Sequence, residues 1–231
     1  SPSIDRLLGF NFDTLLFLQV ERFSYLYNFE VNPSVAALAT LIKAERKYGF
    51  GLNYLGKPKI FHKSSADIFR FQIEDEFRAT NTKSIQQLLL ESCGLKWRKQ
   101  TLDIVLQEED KQYAQNFWSK NKLNGKKVVG LNIGSRKKHA LKRWPIDNFI
   151  LLAKKLKTEL GVEPIILGGP EEKTIYTYAM KHLEPLGIKG NDCTNTIPEF
   201  LAILDQCQIV VSTTTLALIA ATGLRCKTIA I

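Results

Sequence analysis

Histidine and cysteine are scarce in this 231-residue chain, at three and four residues, and they do not cluster. Cys93, Cys193, Cys207 and Cys226 are scattered, no CxxC pair occurs, and no histidine stands at ligand spacing from them. The pattern argues against a zinc site and against a disulfide framework, and fits reduced thiols in a cytoplasmic protein. His62, His139 and His182 belong to no Ser/His/Asp or Cys/His arrangement. No apolar run reaches the ~18 residues of a membrane-spanning helix, and no basic-then-apolar leader opens the chain. A GxxxxGK[ST] loop, a GxGxxG fingerprint, short-period repeats and low-complexity tracts are also missing.

What is there is ordinary globular composition, 45% hydrophobic and 24% charged, with a net charge of +9. The length accommodates one large domain or two small ones with ample core. The charge suits an anionic partner, whether nucleotide, nucleic acid or anionic membrane surface, and fits a generally basic proteome equally well.

The most informative stretch is 127–172. It opens with the buried-strand run Val128 to Ile133, turns at Gly134-Ser135, and enters a basic loop with Arg136, Lys137, Lys138, His139, Lys142 and Arg143. After Trp144-Pro145, apolar residues recur at helical spacing (Phe149, Leu152, Leu156, Leu160). A second strand, Pro164 to Leu167, then runs into Gly168-Gly169-Pro170-Glu171-Glu172. Strand, glycine turn, helix, strand, glycine turn is the pattern of a βαβ unit. Ligands of such units sit beyond the carboxyl ends of the strands, where one turn here carries cations and the other a carboxylate. That suits a ligand with a phosphate at one end and a hydroxylated sugar at the other. On pattern alone the stretch also fits a βαβ unit with a solvated basic loop.

Three groups are candidates for binding. Backbone amides at Gly134-Ser135, helped by Lys142, are ready donors to a phosphate. Glu172 can accept from ribose hydroxyls or simply face a helix dipole. Ser212 to Thr215, including Thr214 and Thr215, precede an apolar helix and can bind a diphosphate or only cap that helix. Interleaved aromatics and cations over 55–82 (Phe61, Phe69, Phe71, Phe77) suit a single-strand nucleic-acid surface, or loop aromatics folded onto a core.

Elsewhere the pattern predicts helices over Asp13–Val20, from Pro33 to about Lys43-Ala44, from Thr82 or Ser84 to Cys93, and from Glu108. It predicts strands over Phe23–Val31, Tyr48–Leu52 and Thr101–Gln107. Beyond Glu172 it predicts helices ending near His182, over Thr196–Leu204 and over Leu216–Ala221, with strands at Ile209–Val211 and from Lys227. The polar run Ser119 to Lys126 is the best linker, which divides the chain into residues 1–122 and 123–231.

Taken together, Gly130 to Ser135, Leu141-Lys142-Arg143-Trp144-Pro145 and Leu167 to Glu172 resemble glycosyltransferase family 9, the ADP-heptose:lipopolysaccharide heptosyltransferases. Ile203 to Gly223, Tyr27-Asn28-Phe29 and Ala36 to Phe50 are also similar, so the likeness covers nearly the whole chain. The resemblance implies an α/β, GT-B-like fold of two Rossmann-like domains with parallel sheets, the N-terminal one incomplete. Residues 1–122 would be the partial acceptor-side domain and 123–231 the nucleotide-sugar donor domain. It implies an inverting, metal-independent transfer without cofactor, from an ADP-heptose-like donor to a lipopolysaccharide core or other lipid-linked acceptor. By the same resemblance Ser135 and Lys142 would hold the donor diphosphate, Glu172 would meet the adenosine ribose, and Thr215 would sit beside the phosphates. A cytoplasmic protein in peripheral contact with the inner membrane is expected, and nucleic acid is not an expected partner.

Two departures from the family pattern stand out. Where the family carries Asp, Gly and His at the last turn, this chain has Thr214, Leu216 and Ile219. The family's first strand, with the acidic residue that serves as general base, is expected before Ser1, so no catalytic residue is assigned. These departures keep open a catalytically inactive GT-B-fold binding protein, or a fragment.

Overall fold

The computed structural model describes residues 4–135 and 143–231. Two compact units make up the chain, Ser1–Gln100 and Thr101–Ile231. The expected division between residues 122 and 123 followed the polar run, but the helix before that run packs into the second unit through Trp118.

In the first unit the order is α1 (Phe12–Val20), β1 (Arg22–Asn28), α2 (Pro33–Leu41), β2 (Lys43–Leu52), β3 (Pro58–Ile60), α3 (Ala66–Ile73), α4 (Asp75–Thr80) and α5 (Ile85–Ser92). Asn11 caps α1 by accepting the Thr14 N–H at 2.9 Å. Asn32 caps α2, with Pro33 preset for the first helical position. The helix stops at Leu41, so Lys43 and Ala44, expected at its end, already belong to β2. β1 and β2 pair in parallel across α2, and β3 adds antiparallel to β2. At Gly49, with φ +86°, an added Cβ would lie 1.8 Å from the Asn28 carbonyl, so only glycine permits that approach. Phe50, Ile68 and Leu88 form the core, with Phe69 and Phe71 packed against it. Those two aromatics come from helix α3, in a region where the sequence shows no clear period.

The second unit contains α6 (Glu108–Lys120), β4 (Val128–Asn132), α7 (Ile146–Glu159), β5 (Glu163–Leu167), α8 (Lys173–Leu183), β6 (Lys189–Gly190), α9 (Ile197–Asp205), β7 (Ile209–Ser212), α10 (Leu216–Gly223) and β8 (Lys227–Ala230). Thr101–Gln107, expected as a strand, forms none. Its apolar side chains are used otherwise: Ile104 packs on the α9–α10 core, and a Cβ on Gly223 would come within 3.1 Å of Leu102 Cβ and 2.9 Å of Ile104 Cδ1.

The five strands are parallel in the order β6-β5-β4-β7-β8. The chain winds outward from β4 to β6, returns to β7 beside β4, and then winds the other way. Both faces are covered, as a parallel sheet requires. Val129, Leu131, Ile133, Ile166 and Val211 meet α7 and α8 through Phe149, Ala153, Ala179 and Leu183. Val128, Ile165, Leu167 and Val210 meet α6, α9 and α10 through Trp118, Ile203, Leu204 and Ala221. Each fully buried Leu or Ile contributes about 1.5–3 kcal/mol, so this sheet is a rigid platform for whatever its loops carry.

Candidate functional site

The sheet reverses its winding between β4 and β7, and the crevice beyond strand ends at such a reversal is where open α/β sheets bind ligands. β4 ends there in a buried polar residue, Asn132. Its Nδ2 donates to Ser212 Oγ at 3.0 Å and to Thr215 Oγ1 at 3.2 Å. Ser212 and Thr215 hydroxyls are 3.0 Å apart. This network ties the exit of β4 to the exit of β7 and occupies the Thr215 hydroxyl. Thr215 stands at the N-cap of α10 in an extended conformation yet makes no side-chain cap bond. Capping is therefore not what its hydroxyl does, and the first turn of α10, with Leu216 and Ala217 on the crevice lining, has no side-chain cap from Thr215. Beside it Thr213 Oγ1 is buried, with no partner among the described residues.

The turn after β5 brings in Glu172, only 6% exposed. Its Oε2 accepts the Gly169 N–H at 3.1 Å, and its Oε1 lies 3.6 Å from Arg143 Nη2. Arg143 Nη2 also donates to the Ser135 carbonyl. Gly134 lies against the same carboxylate: a Cβ there would be 3.3 Å from Glu172 Cδ and Oε2. Asn191 fixes the turn from the other side, with Oδ1 accepting the Gly168 N–H at 3.1 Å and Nδ2 donating to the Gly168 carbonyl at 2.9 Å. Next to it, burial pushes the Cys193 thiol up to about 11, which removes it from nucleophilic chemistry at neutral pH.

These turns enclose a crevice of about 640 Å³, large enough for a nucleotide-sized ligand. Gly134, Ser135, Glu172, Thr214 and Thr215 all line it. Lys142, expected with them, lies outside the described residues, as does His139. One wall is apolar, built by Ile197 and Phe200 of α9 and by Leu216 and Ile219 of α10. Asn195, also on the lining, donates through Nδ2 to Tyr113 Oη at 2.6 Å. Burial, then the nearby Glu199 carboxylate, raises the Tyr113 phenol above its ordinary value and keeps it neutral.

Sequence reasoning missed Asn132, Arg143 as a partner of Glu172, Asn191 and Asn195. Asn132 had a usable signal, a polar side chain closing an otherwise apolar buried run, because such a group must find hydrogen bonds. The other three are ordinary polar residues in loops, and their roles come only from folding.

A doubly wound parallel sheet with glycine turns at its reversal defines a Rossmann-like domain, and the solved structures it resembles share the GT-B fold. The chain belongs to glycosyltransferase family 9 (heptosyltransferase), whose family model matches residues 18–231. A glycosyl transferase family 9 structure from Veillonella parvula DSM 2008 is 20% identical at a TM-score of 0.68, over 90% of this chain and 56% of that one. The E. coli ADP-heptose lps heptosyltransferase II is 14% identical at a TM-score of 0.59, over 94% and 64%. E. coli heptosyltransferase WaaC with ADP-2-deoxy-2-fluoro heptose is 15% identical at 0.57, again over 94% and 64%. The chain thus spans between about half and two thirds of these proteins' lengths. Among curated proteins none matches it.

Proposed function

We propose that the chain is the donor-binding unit, with part of the acceptor-side unit, of a glycosyltransferase that moves a heptose-like sugar from a nucleotide sugar to a lipopolysaccharide core acceptor. The observation that carries this is the crevice itself: in a family 9 member, two glycine turns and an uncapped helix start converge at the sheet's reversal. In this reading the amides at Ser135 and at the start of α10, with Thr214, Thr215 and Lys142, hold the diphosphate, and Glu172 accepts from the ribose hydroxyls. Helix-start amides and an ammonium group are suited to an anion, and a carboxylate is suited to a vicinal diol.

The transfer forms a bond between the acceptor oxygen and the anomeric carbon while the bond from that carbon to the diphosphate breaks. A base must take the acceptor's proton, and no residue of this chain is assigned to it. The proposed reaction is inverting and metal-independent. The proposed setting is cytoplasmic, at the inner face of the membrane where a lipid-linked acceptor is presented; among the described residues no helix is long and apolar enough to cross a membrane. The net charge of +9 suits such an anionic surface.

Calorimetric titration with ADP tests the donor site. Binding that weakens several-fold in Lys142→Ala supports it; no binding, or no change on substitution, removes it. A second reading, a binding protein without transfer, is favoured by the apolar Leu216 and Ile219 at the crevice, 56% and 47% exposed. A transfer assay on the full-length parent protein with ADP-heptose and a heptose-free core acceptor separates the two.

A further inference from the structure

We infer that Arg143 is a positioning residue for ribose recognition, acting through Glu172 rather than on the donor itself; this rests on the donor-site reading above. Glu172 is a carboxylate inside a crevice meant for an anion, a setting in which it would repel the diphosphate and lose water at the same time. The structure supplies one cation to offset it among the described residues, the Arg143 guanidinium 3.6 Å from Oε1. Arg143 is mostly covered and Glu172 nearly fully so, with side chains 24% and 7% exposed. The pair is therefore screened little by solvent.

Geometry adds a second function to charge. The same Nη2 that faces Glu172 donates to the Ser135 carbonyl, so one guanidinium joins the turn after β4 to the turn after β5. Its Nε–H is buried without a partner among the described residues, which shows how far into the protein the group is drawn. With Gly169 N–H on Oε2, Gly134 under the carboxylate and Arg143 beside Oε1, Glu172 is fixed from three directions. Those contacts engage only part of a carboxylate's roughly four acceptor positions, leaving capacity for a diol.

The test is calorimetry on the intact 231-residue chain with two probes, ADP and 2′,3′-dideoxy-ADP, which differ only in the ribose hydroxyls. Arg143→Gln is expected to weaken ADP binding about tenfold, the scale of one charge-assisted hydrogen bond, while binding of the dideoxy probe changes by less than about twofold. Glu172→Gln should give the same pattern, and the double variant should bind ADP no more weakly than Glu172→Gln alone, as expected for groups acting as a unit. Equal losses for both probes would mean that Arg143 touches the phosphates or only supports the fold; no loss for either would make it irrelevant. Each result overturns the inference. If Arg143→Gln does not fold by circular dichroism, Arg143→Met, which also removes the charge, carries the same comparison. Failure of the donor-site reading looks different: the unsubstituted chain would then bind no ADP, or would bind both probes equally.

Discussion

Asn132 donates to Thr215 Oγ1 at 3.2 Å across the place where the sheet reverses its strand order. The two residues are far apart in the chain, yet through Ser212 they form one buried hydroxyl–amide network. Replacing Asn132 by Leu keeps the branched side-chain shape but removes the amide donor from both hydroxyls, which then have only each other and the Thr213 carbonyl. Unfolding in urea should show a loss of about 1–3 kcal/mol with an unchanged slope. A loss well under that range would mean that the network contributes little to the fold.

Gly134→Ala tests the contact between the two glycine turns. The new Cβ would press on the Glu172 carboxylate at 3.3 Å, a contact that side chain can relieve only by moving from its place beside Gly169 and Arg143. We expect nearly unchanged thermal stability and ADP binding weaker by about tenfold, on the scale of one displaced charge-assisted hydrogen bond. Unchanged binding would remove Glu172 from the recognition of the nucleotide.

Glu163, at the start of β5, accepts from Lys157 at 2.7 Å and Lys126 at 2.9 Å. Burial pulls its carboxyl upward, but the hydrogen bonds from Lys157 and Lys126 outweigh burial and hold it below the ordinary value. A carboxyl lowered by folding stabilises fully above its unfolded value and loses that contribution as pH falls through the folded one. Glu163→Gln should therefore cost about 1 kcal/mol or less at pH 7, and the difference should vanish as pH drops through and below the normal carboxylate range. Parallel urea titrations across pH give the answer; a gap that persists in acid would refute the linkage.

The thiols should divide into two classes. Cys193 and Cys207 are 2% and 4% exposed, whereas Cys93 and Cys226 are partly exposed. Burial raises every one of these thiols, Cys193 to about 11 and Cys207 further. Alkylation at neutral pH should reach Cys93 and Cys226 slowly and the other pair only after denaturation. Rapid labelling of Cys193 in the native protein would contradict the packing beside Gly168.

Much of the second unit was legible in the amino-acid order. Val128–Ile133, Pro164–Leu167 and Ile209–Val211 are short apolar runs because a parallel sheet is buried on both faces. Phe149, Leu152 and Leu156 recur at helical spacing because α7 covers only one of those faces. β6 escaped notice because two residues, Lys189 and Gly190, carry no pattern. Helices α3 and α4 escaped because their apolar residues follow no sustained period, and Thr101–Gln107 misled because its apolar residues Leu102 and Ile104 serve packing on α10 instead of pairing.

Sequence alone determined which turns would stand at strand ends and which polar groups they would bring there, since hydrophobic period and glycine placement are local properties. Only the tertiary structure decided that β7 returns beside β4, that Asn132 meets Thr215, and that Arg143 faces Glu172. Those contacts join residues distant along the chain, and their partners are selected by packing, about which a loop's own composition says nothing.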